Sequence, residues 1–176
     1  MSFTVAEPFA LFDQWLEDAT QSEPNDPNAM SLATVDADGT LSNRIVLLKG
    51  HGKDGFRFFT NYTSRKGQAL EANPRAAALF HWKTLGWQVR VEGPIERLTP
   101  EQSQAYYDTR PRGSRIGAWA SLQSQPLPDR AALEDRISGF ETRFEGQETF
   151  PKPDYWGGFL LRPLAIEFWN AGEYRL

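Results

Sequence analysis

The stretch SLATVDADGTLSNRIVLLKGHGKDGFRFFT, residues 31–60, decides the fold. It holds three segments rich in β-branched and aromatic residues, at 31–35, 44–49 and 56–60. The turn Asp36-Ala37-Asp38-Gly39 has the Asp-Gly composition typical of a β-hairpin. Residues 50–55 contain three glycines and are expected to form a loop. The spacing predicts consecutive antiparallel strands.

Strands and helices are predicted on both sides of this stretch. Apolar alternation predicts strands at 76–82 and 88–98 and a C-terminal strand at about 159–169, broken at Pro163. Helical spacing predicts an N-terminal helix at about 8–19 and further helices at 64–72, 99–109, 114–121 and 130–144. Because regular crossover helices are absent, we expect a mainly β fold with peripheral helices, an antiparallel sheet or barrel. One domain is expected to span 1–176.

The composition limits the class of protein. Of 176 residues, 40% are apolar and 24% are charged, enough to bury one core. No apolar run approaches the roughly 18 residues of a membrane span, and the start of the chain lacks a secretory-signal pattern. There is no cysteine, and His51 and His81 are the only histidines. We therefore expect a cytoplasmic protein with no metal, no disulfide and no membrane partner.

The cations are concentrated in the middle of the chain. Residues 44–115 carry thirteen Lys and Arg against six Asp and Glu, a net charge of +7, whereas the remainder has a net charge of −11. The overall charge of −4 argues against nucleic-acid binding. The central excess favours a bound anion, with phosphate the best candidate, although solvated strand faces would give the same excess.

Two short motifs are candidate phosphate sites. Ser64-Arg65-Lys66-Gly67 opens a helix directly after a strand, where free backbone N–H groups and adjacent cations favour an anion. Arg110-Pro111-Arg112-Gly113-Ser114-Arg115 lies between two helices and could hold a second anion. The alternatives are a Ser cap followed by two exposed cations, and a solvated loop. Arg44 and Lys49 bracket a strand and are expected to point to opposite faces.

Groups for acid–base or nucleophilic catalysis are sparse. Neither histidine lies in a motif, and no nucleophile elbow is present. Six tryptophans are present, of which Trp82, Trp87, Trp119 and Trp169 could stack on a flat ring system, although most tryptophans belong to the core. This combination favours a bound cofactor that carries the chemistry.

The motifs taken together resemble a known family. They are Asp26-Pro-Asn-Ala-Met-Ser-Leu-Ala-Thr-Val35, Arg44-Ile-Val-Leu-Leu-Lys49, Phe59-Thr-Asn-Tyr-Thr-Ser-Arg-Lys-Gly67, Gln88-Val-Arg-Val-Glu-Gly93, Arg110-Pro-Arg-Gly-Ser114, Ile116-Gly-Ala-Trp-Ala-Ser-Leu-Gln-Ser124 and Ile166-Glu-Phe-Trp169. In this order and spacing, nearly the whole chain resembles the pyridoxamine 5′-phosphate oxidase family. The resemblance implies an FMN-binding split β-barrel, a Greek-key antiparallel fold that forms a homodimer with two FMN sites at the interface.

The resemblance also implies the site and the reaction. FMN contacts would be Arg44, Ile45, Val46, Leu47, Leu48, Lys49, Phe59, Thr60, Arg65, Lys66, Gln88, Gln123, Ser124 and Trp169, with Arg65 and Lys66 on the FMN phosphate. Substrate contacts would be Lys49, Tyr106, Arg110 and Ser114 on the substrate phosphate and Arg175, the candidate catalytic residue, near the reacting end. The reaction would convert pyridoxamine or pyridoxine 5′-phosphate to pyridoxal 5′-phosphate by hydride transfer from C4′ to flavin N5. O2 would accept the electrons and be released as H2O2.

Three departures from the family pattern keep alternatives open. The family's His and Arg beyond the position of Arg175 have no counterpart before Leu176, Gly86-Trp87 replaces a charged pair, and Arg115 replaces a Gln. We expect Trp87 to lie near the flavin and Arg115 to add positive charge beside the substrate phosphate. The alternatives are an FMN oxidase of another aromatic substrate, as in the phenazine-forming relatives, and a non-catalytic flavin-binding or pyridoxal-phosphate-binding protein.

Overall fold

The computed structural model describes residues 7–172. These residues form five helices, α1 (Glu7–Ser22), α2 (Arg65–Ala72), α3 (Pro100–Asp108), α4 (Arg112–Ala120) and α5 (Arg130–Arg143). They also form eight strands, β1 (Ala29–Val35), β2 (Leu41–Leu47), β3 (Gly50–Gly52), β4 (Gly55–Asn61), β5 (Arg75–Trp82), β6 (Trp87–Arg97), β7 (Trp156–Leu161) and β8 (Ala165–Asn170). The predicted mainly β fold with peripheral helices is confirmed.

Every strand pair is antiparallel, in the order β2-β1-β5-β6-β7-β4-β3, and β8 pairs with β6. The eleven-residue strand β6 joins two parts of the barrel: its first half pairs with β8 and its second half with β7. The change of partner falls at Gly93. A Cβ at this position would lie 1.8 Å from the Arg162 carbonyl oxygen, so the close approach requires glycine.

Several predicted boundaries were wrong. The N-terminal helix, expected at about 8–19, extends to Ser22. The predicted break at Pro163 is present and separates β7 from β8, but β7 begins at Trp156 and not at Phe159. The predicted loop at 50–55 contains the short strand β3 and the start of β4, which pair with each other.

The second predicted strand begins earlier than expected, at Leu41 rather than Arg44. The additional residues are Leu41, Ser42 and Asn43, which pair with residues 33–35 of β1 across the hairpin. The Asp36–Gly39 turn is present, with a hydrogen bond from the Gly39 N–H to the Asp36 carbonyl and a positive φ of 87° at Gly39.

Helix caps follow the sequence closely. The Thr99 hydroxyl accepts from the Gln102 N–H, and the Gln102 side chain accepts from the Thr99 N–H, so α3 opens with the predicted capping box. Ser64 caps α2 through its hydroxyl, which accepts from the Gly67 N–H. This cap fixes the start of α2 at the end of β4, where the first phosphate site was predicted.

The buried apolar side chains form two clusters. The larger fills the barrel beneath α1 and contains Phe12, Phe56, Phe80 and Trp82. The smaller lies among α3, α4, α5 and β7, and contains Tyr107, Ile116, Phe144, Phe150 and Trp156. Phe59 of β4 packs against the smaller cluster. The part of β4 around Phe59 therefore lies between the two clusters.

Trp87 belongs to the packing of α1. Its ring stacks on Trp15 with centroids 4.3 Å apart and planes 22° apart, and Phe168 meets Trp15 edge-on. The indole therefore anchors α1 to β6 and β8, and the expectation that it lies near the flavin stays a prediction. Within residues 7–172, no helix combines the length and apolar character needed to cross a bilayer.

Candidate functional site

A cleft with two adjoining lobes, of about 250 and 350 Å³, opens beside the middle of β4. Both lobes are lined by Phe59, Thr60, Arg110, Gln123 and Trp156. The smaller lobe adds Ile45, Val46, Leu47, Lys49, Lys66 and Tyr106, and the larger adds Asn61, Ser114, Gly117, Ala118 and Ser121. The cleft thus joins β2, β4, the start of α2, and the α3–α4 region.

Lys66 is a buried cation in the wall of the smaller lobe, with only 8% of its surface exposed. Its Nζ donates to Gln123 Oε1 at 2.8 Å, Thr60 Oγ1 at 3.3 Å and Ser64 Oγ at 3.4 Å. Among the described residues no carboxylate forms an ion pair with it. Burial, with a smaller contribution from the charge of Arg44, lowers the pKa of Lys66 to about 8.

Two further cations lie close to Lys66. Arg44 faces inward from β2 and donates to Thr34 Oγ1 at 2.7 Å and the Leu32 carbonyl at 3.1 Å. Burial, and then the charge of Arg65, lowers the pKa of Arg44. Arg65 pairs with Asp36 at 2.7 Å. Three cations with one carboxylate among them make the region around Lys66 attractive to an anion, and the start of α2 adds backbone N–H donors. Arg44 and Arg65 themselves line neither lobe of the cleft.

Arg110 supplies a second positive group at the junction of the two lobes. Its Nη1 is buried and has no hydrogen-bond partner, and its Cζ lies 4.8 Å from the ring centroid of Trp156. Burial lowers the pKa of Arg110. Beside it, Tyr106 stacks on Phe59 with ring centroids 3.8 Å apart. A buried donor without a partner is costly unless a ligand satisfies it, which makes Arg110 a candidate anion contact.

The remaining cations of the Arg110–Arg115 motif point elsewhere. Arg112 donates to the carbonyls of Phe144 at 2.7 Å and Gln147 at 2.5 Å, and Arg115 donates to the Glu148 carbonyl at 2.9 Å. Both therefore hold the chain after α5 against α4. Arg115 does not line the cleft, so the expectation that it adds charge beside the substrate phosphate was wrong.

The cleft brings together eleven of the residues that the sequence singled out. Ten line the smaller lobe and one, Ser114, lines only the larger; the ten are Ile45, Val46, Leu47, Lys49, Phe59, Thr60, Lys66, Tyr106, Arg110 and Gln123. Leu48 does not line it, because this side chain is 4% exposed and belongs to the barrel core. Ser124 directly follows Gln123 in a left-handed conformation, with a φ of 66°. Arg175 lies outside the described residues.

Several lining residues were missed from the sequence, above all Trp156. This side chain follows an irregular segment and starts β7, so no periodicity distinguishes it from a core tryptophan. Its place in the wall depends on packing against Phe59 and Tyr106, which are far away in sequence. The other missed residues are Asn61, Gly117, Ala118 and Ser121.

Gln88 and Trp169 lie on the outer face of the sheet, not in the walls of the cleft. The two residues are register partners on β6 and β8. Register partners share a face, and the same face runs across the sheet to Ile45 through Ser31, Leu79 and Arg90. Ile45 lines the cleft and is 65% exposed. One outer face therefore carries both the cleft edge and the pair Gln88–Trp169.

This outer face is partly apolar. Leu41 and Leu164 are each 75% exposed, and an adjoining groove of about 380 Å³ is lined mainly by small apolar side chains, including Ala33, Ala76 and Ala77. The same face also carries Arg90, Glu92 and Glu167, which form two ion pairs, so exposed apolar and charged side chains stand side by side on it. This mixture is typical of a protein–protein interaction surface.

The antiparallel topology and the cation-lined cleft define an FMN-binding split barrel. PhzG from Burkholderia lata 383, solved with tetrahydrophenazine-1-carboxylic acid, matches with a TM-score of 0.89 and 29% identity over 100% of this chain and 88% of PhzG. A pyridoxamine 5′-phosphate oxidase-related, FMN binding protein from Nostoc punctiforme matches with a TM-score of 0.73 and 18% identity, over 98% of this chain and 89% of its own, and so shows the fold alone.

Sequence comparison gives the family. The model of the family described as pyridoxamine 5′-phosphate oxidase matches residues 16–144. A pyridoxine/pyridoxamine 5′-phosphate oxidase from Chelativorans sp. (strain BNC1) is 55% identical, covering 99% of this chain and 83% of that relative. One from Brucella canis is 53% identical, covering 97% of this chain and 84% of that relative. The chain belongs to the pyridoxamine 5′-phosphate oxidase family of FMN-dependent oxidoreductases.

Proposed function

We propose that this protein oxidises pyridoxamine or pyridoxine 5′-phosphate to pyridoxal 5′-phosphate, with FMN as cofactor and O2 as electron acceptor. The observation that carries the proposal is the presence of two separate cationic groups in one cleft, Lys66 in the wall of the smaller lobe and Arg110 at the junction of the two lobes. Two phosphorylated rings, those of a flavin mononucleotide and of a vitamin B6 ester, need two such groups. The names of the relatives agree with this substrate class.

The residues around Lys66 fit the FMN phosphate. Lys66 is buried, has only neutral hydrogen-bond partners and lies at a helix start, so a phosphate would supply the missing negative charge. Arg44 and Arg65 would add charge beside it. Leu47 and the rings of Phe59 and its neighbours supply apolar walls for a flat ring.

The residues around Arg110 fit the substrate phosphate. Arg110, Ser114, Tyr106 and Lys49 supply guanidinium, hydroxyl and ammonium donors around the cleft. Their role is to bind and orient the substrate, while the bound FMN supplies hydride acceptance from C4′ and reoxidation by O2, which yields H2O2. Arg175 remains the proposed catalytic residue near the reacting end.

A second copy of the chain would complete the site. Gln88 and Trp169, two of the proposed flavin contacts that do not line the cleft, share the partly apolar outer face with Ile45 at the cleft edge. A homodimer packed through this face would cover Leu41 and bring Gln88 and Trp169 towards the partner's cleft. We further propose that residues 1–176 act as one domain in the cytoplasm, as the cysteine-free composition suggests.

The structural match to PhzG favours one other substrate, a reduced phenazine carboxylic acid. The unpartnered Arg110 would accept a carboxylate as well as a phosphate, so the choice must be made by measurement. The third possibility is a protein that binds flavin or pyridoxal phosphate without turnover.

Oxygen uptake by the FMN-loaded protein separates these possibilities. The proposal predicts uptake and H2O2 formation with pyridoxamine 5′-phosphate, and much slower uptake with pyridoxamine, which lacks the phosphate. Faster turnover of a dihydrophenazine carboxylic acid than of the B6 ester would favour the second substrate. If the protein binds FMN but takes up no oxygen with any of these compounds, it is a binding protein without turnover.

A further inference from the structure

The Arg110 guanidinium is held by an aromatic ring and not by a carboxylate. Its Cζ lies 4.8 Å from the Trp156 ring centroid, and Arg110 takes part in none of the ion pairs formed by residues 7–172. Its Nη1 is buried and unpartnered. The cation is thus placed by contact with a ring while a donor group stays free.

Trp156 is itself rigidly held. The residue is 7% exposed, its backbone N–H donates to the Pro153 carbonyl at 3.0 Å, and its backbone pairs with that of Asn61 across β7 and β4. Its ring is nearly parallel to those of Phe59 and Tyr106, with interplanar angles of 16° and 9°. The stack fixes the plane of the indole, and the plane fixes where a cation can sit over it.

The difference between a ring and a carboxylate as partner matters for binding an anion. A carboxylate would occupy the N–H edge of the guanidinium and cancel its charge. A ring contacts the cation through its π face and contributes no competing negative charge, so the N–H donors and the positive charge remain available to a ligand. The same contact replaces part of the solvation that Arg110 loses on burial.

We propose that Trp156 is a positioning residue for Arg110, and that this pair determines the preference for a phosphorylated ligand. The inference builds on the proposed function, because it takes Arg110 to contact the substrate phosphate. It assigns to Trp156 no contact with the phosphate and no part in hydride transfer. Its effect should therefore appear in ligand discrimination more than in the chemical step.

The test measures binding of pyridoxal 5′-phosphate and of pyridoxal by isothermal titration calorimetry with the FMN-loaded protein. Trp156→Leu is expected to weaken binding of the phosphorylated ligand by about 3- to 30-fold more than it weakens binding of pyridoxal, since both ligands lose the same part of the cleft wall. Trp156→Phe, which keeps an aromatic face, should lose less, about 2- to 5-fold. Trp119→Leu is the matched control, since Trp119 faces Arg143 outside the cleft and should leave the discrimination unchanged.

The outcomes separate the two proposals. Equal loss for both ligands in Trp156→Leu, or no loss for either, overturns the positioning role. If that variant does not fold, an unchanged discrimination in Trp156→Phe overturns it instead. The Arg110→Ala protein tests the assumption that Arg110 contacts the substrate phosphate. If this variant binds pyridoxal 5′-phosphate as tightly as the unmodified protein, the proposed substrate site is wrong. In the Arg110→Ala background, Trp156→Leu should cause no further loss of discrimination.

Discussion

Lys66 Nζ donates to Gln123 Oε1 at 2.8 Å, although the two residues are 57 positions apart. Lys66 is the second residue of α2, and Gln123 lies in the chain between α4 and α5. The contact joins the helix start to the opposite wall of the cleft, and Thr60 donates to the same Gln123 oxygen at 3.2 Å. Since these partners are neutral, the charge of Lys66 stays available for an anion.

The lowered pKa of Lys66 predicts a pH dependence of FMN binding. FMN affinity should fall as the pH rises above about 8, because the neutral amine attracts a phosphate less strongly. Without FMN, the unfolded chain binds the Lys66 proton up to its ordinary pKa of 10.5 while the folded chain loses it near 8. The free energy of unfolding should therefore gain a contribution as the pH rises between these values.

Flavin fluorescence titrations and denaturant unfolding at several pH values measure both effects. Lys66→Met should weaken FMN binding and reduce the pH dependence of both the FMN affinity and the free energy of unfolding. Lys83→Met, at an exposed turn, should leave both pH dependences unchanged. A wild-type FMN affinity that does not change across pH 8 would contradict the assignment of Lys66 to the phosphate.

Arg110→Ala is expected to raise the KM for pyridoxamine 5′-phosphate by about 10- to 150-fold, the range for loss of a charged hydrogen bond. The FMN content should stay unchanged, because Arg110 is assigned to the substrate and not to the cofactor. Steady-state kinetics with an absorbance measurement of bound flavin test both statements. Loss of flavin from this variant would show that Arg110 binds the FMN phosphate and not the substrate phosphate.

Arg65→Ala is expected to weaken FMN binding by about 10-fold while changing the free energy of unfolding by less than about 1 kcal/mol. The small stability effect follows from the exposure of Arg65, whose side chain is 56% accessible in its ion pair with Asp36. Asp36→Asn serves as the control, since it removes the carboxylate and keeps the cation; its FMN affinity should be equal or tighter. An FMN dissociation constant unaltered by Arg65→Ala would remove Arg65 from the phosphate site.

Ala77→Glu tests the proposed dimer face. Ala77 lies on β5 in the outer face, opposite Glu92, so a second carboxylate there would repel a packed partner. Light scattering should show a monomer, and FMN binding should weaken because the site would lack the partner's contacts. Ala131→Glu, on the exposed side of α5, should remain dimeric. A variant that stays dimeric and binds FMN normally would place the interface elsewhere.

Local rules predicted the elements whose pattern is local. Val89 and Val91 are buried and Arg90 is exposed, so alternation along β6 follows directly from the sequence. The caps at Thr99 and Ser64 are likewise set by residues within one helical turn. Boundaries failed at residues 41–43 and 50–52, where most residues are polar or glycine, because pairing with a neighbouring strand decides those positions.

The site was predictable only in part, because motifs name residues without fixing their directions. Arg110 and Arg112 are two positions apart in one motif, yet one lines the cleft and the other binds carbonyls after α5. Trp156 carries no sequence signal, since its role depends on rings from β4 and α3. Tertiary packing determines these directions, and only a folded structure shows them.

The most direct measurement of the proposed function is a single turnover without oxygen. The FMN-loaded protein is mixed anaerobically with pyridoxamine 5′-phosphate, and the visible absorbance of the oxidised flavin is followed. The account predicts that this absorbance disappears as pyridoxal 5′-phosphate forms and returns when air is admitted. Bound flavin that keeps its oxidised spectrum in the presence of saturating substrate would contradict the account.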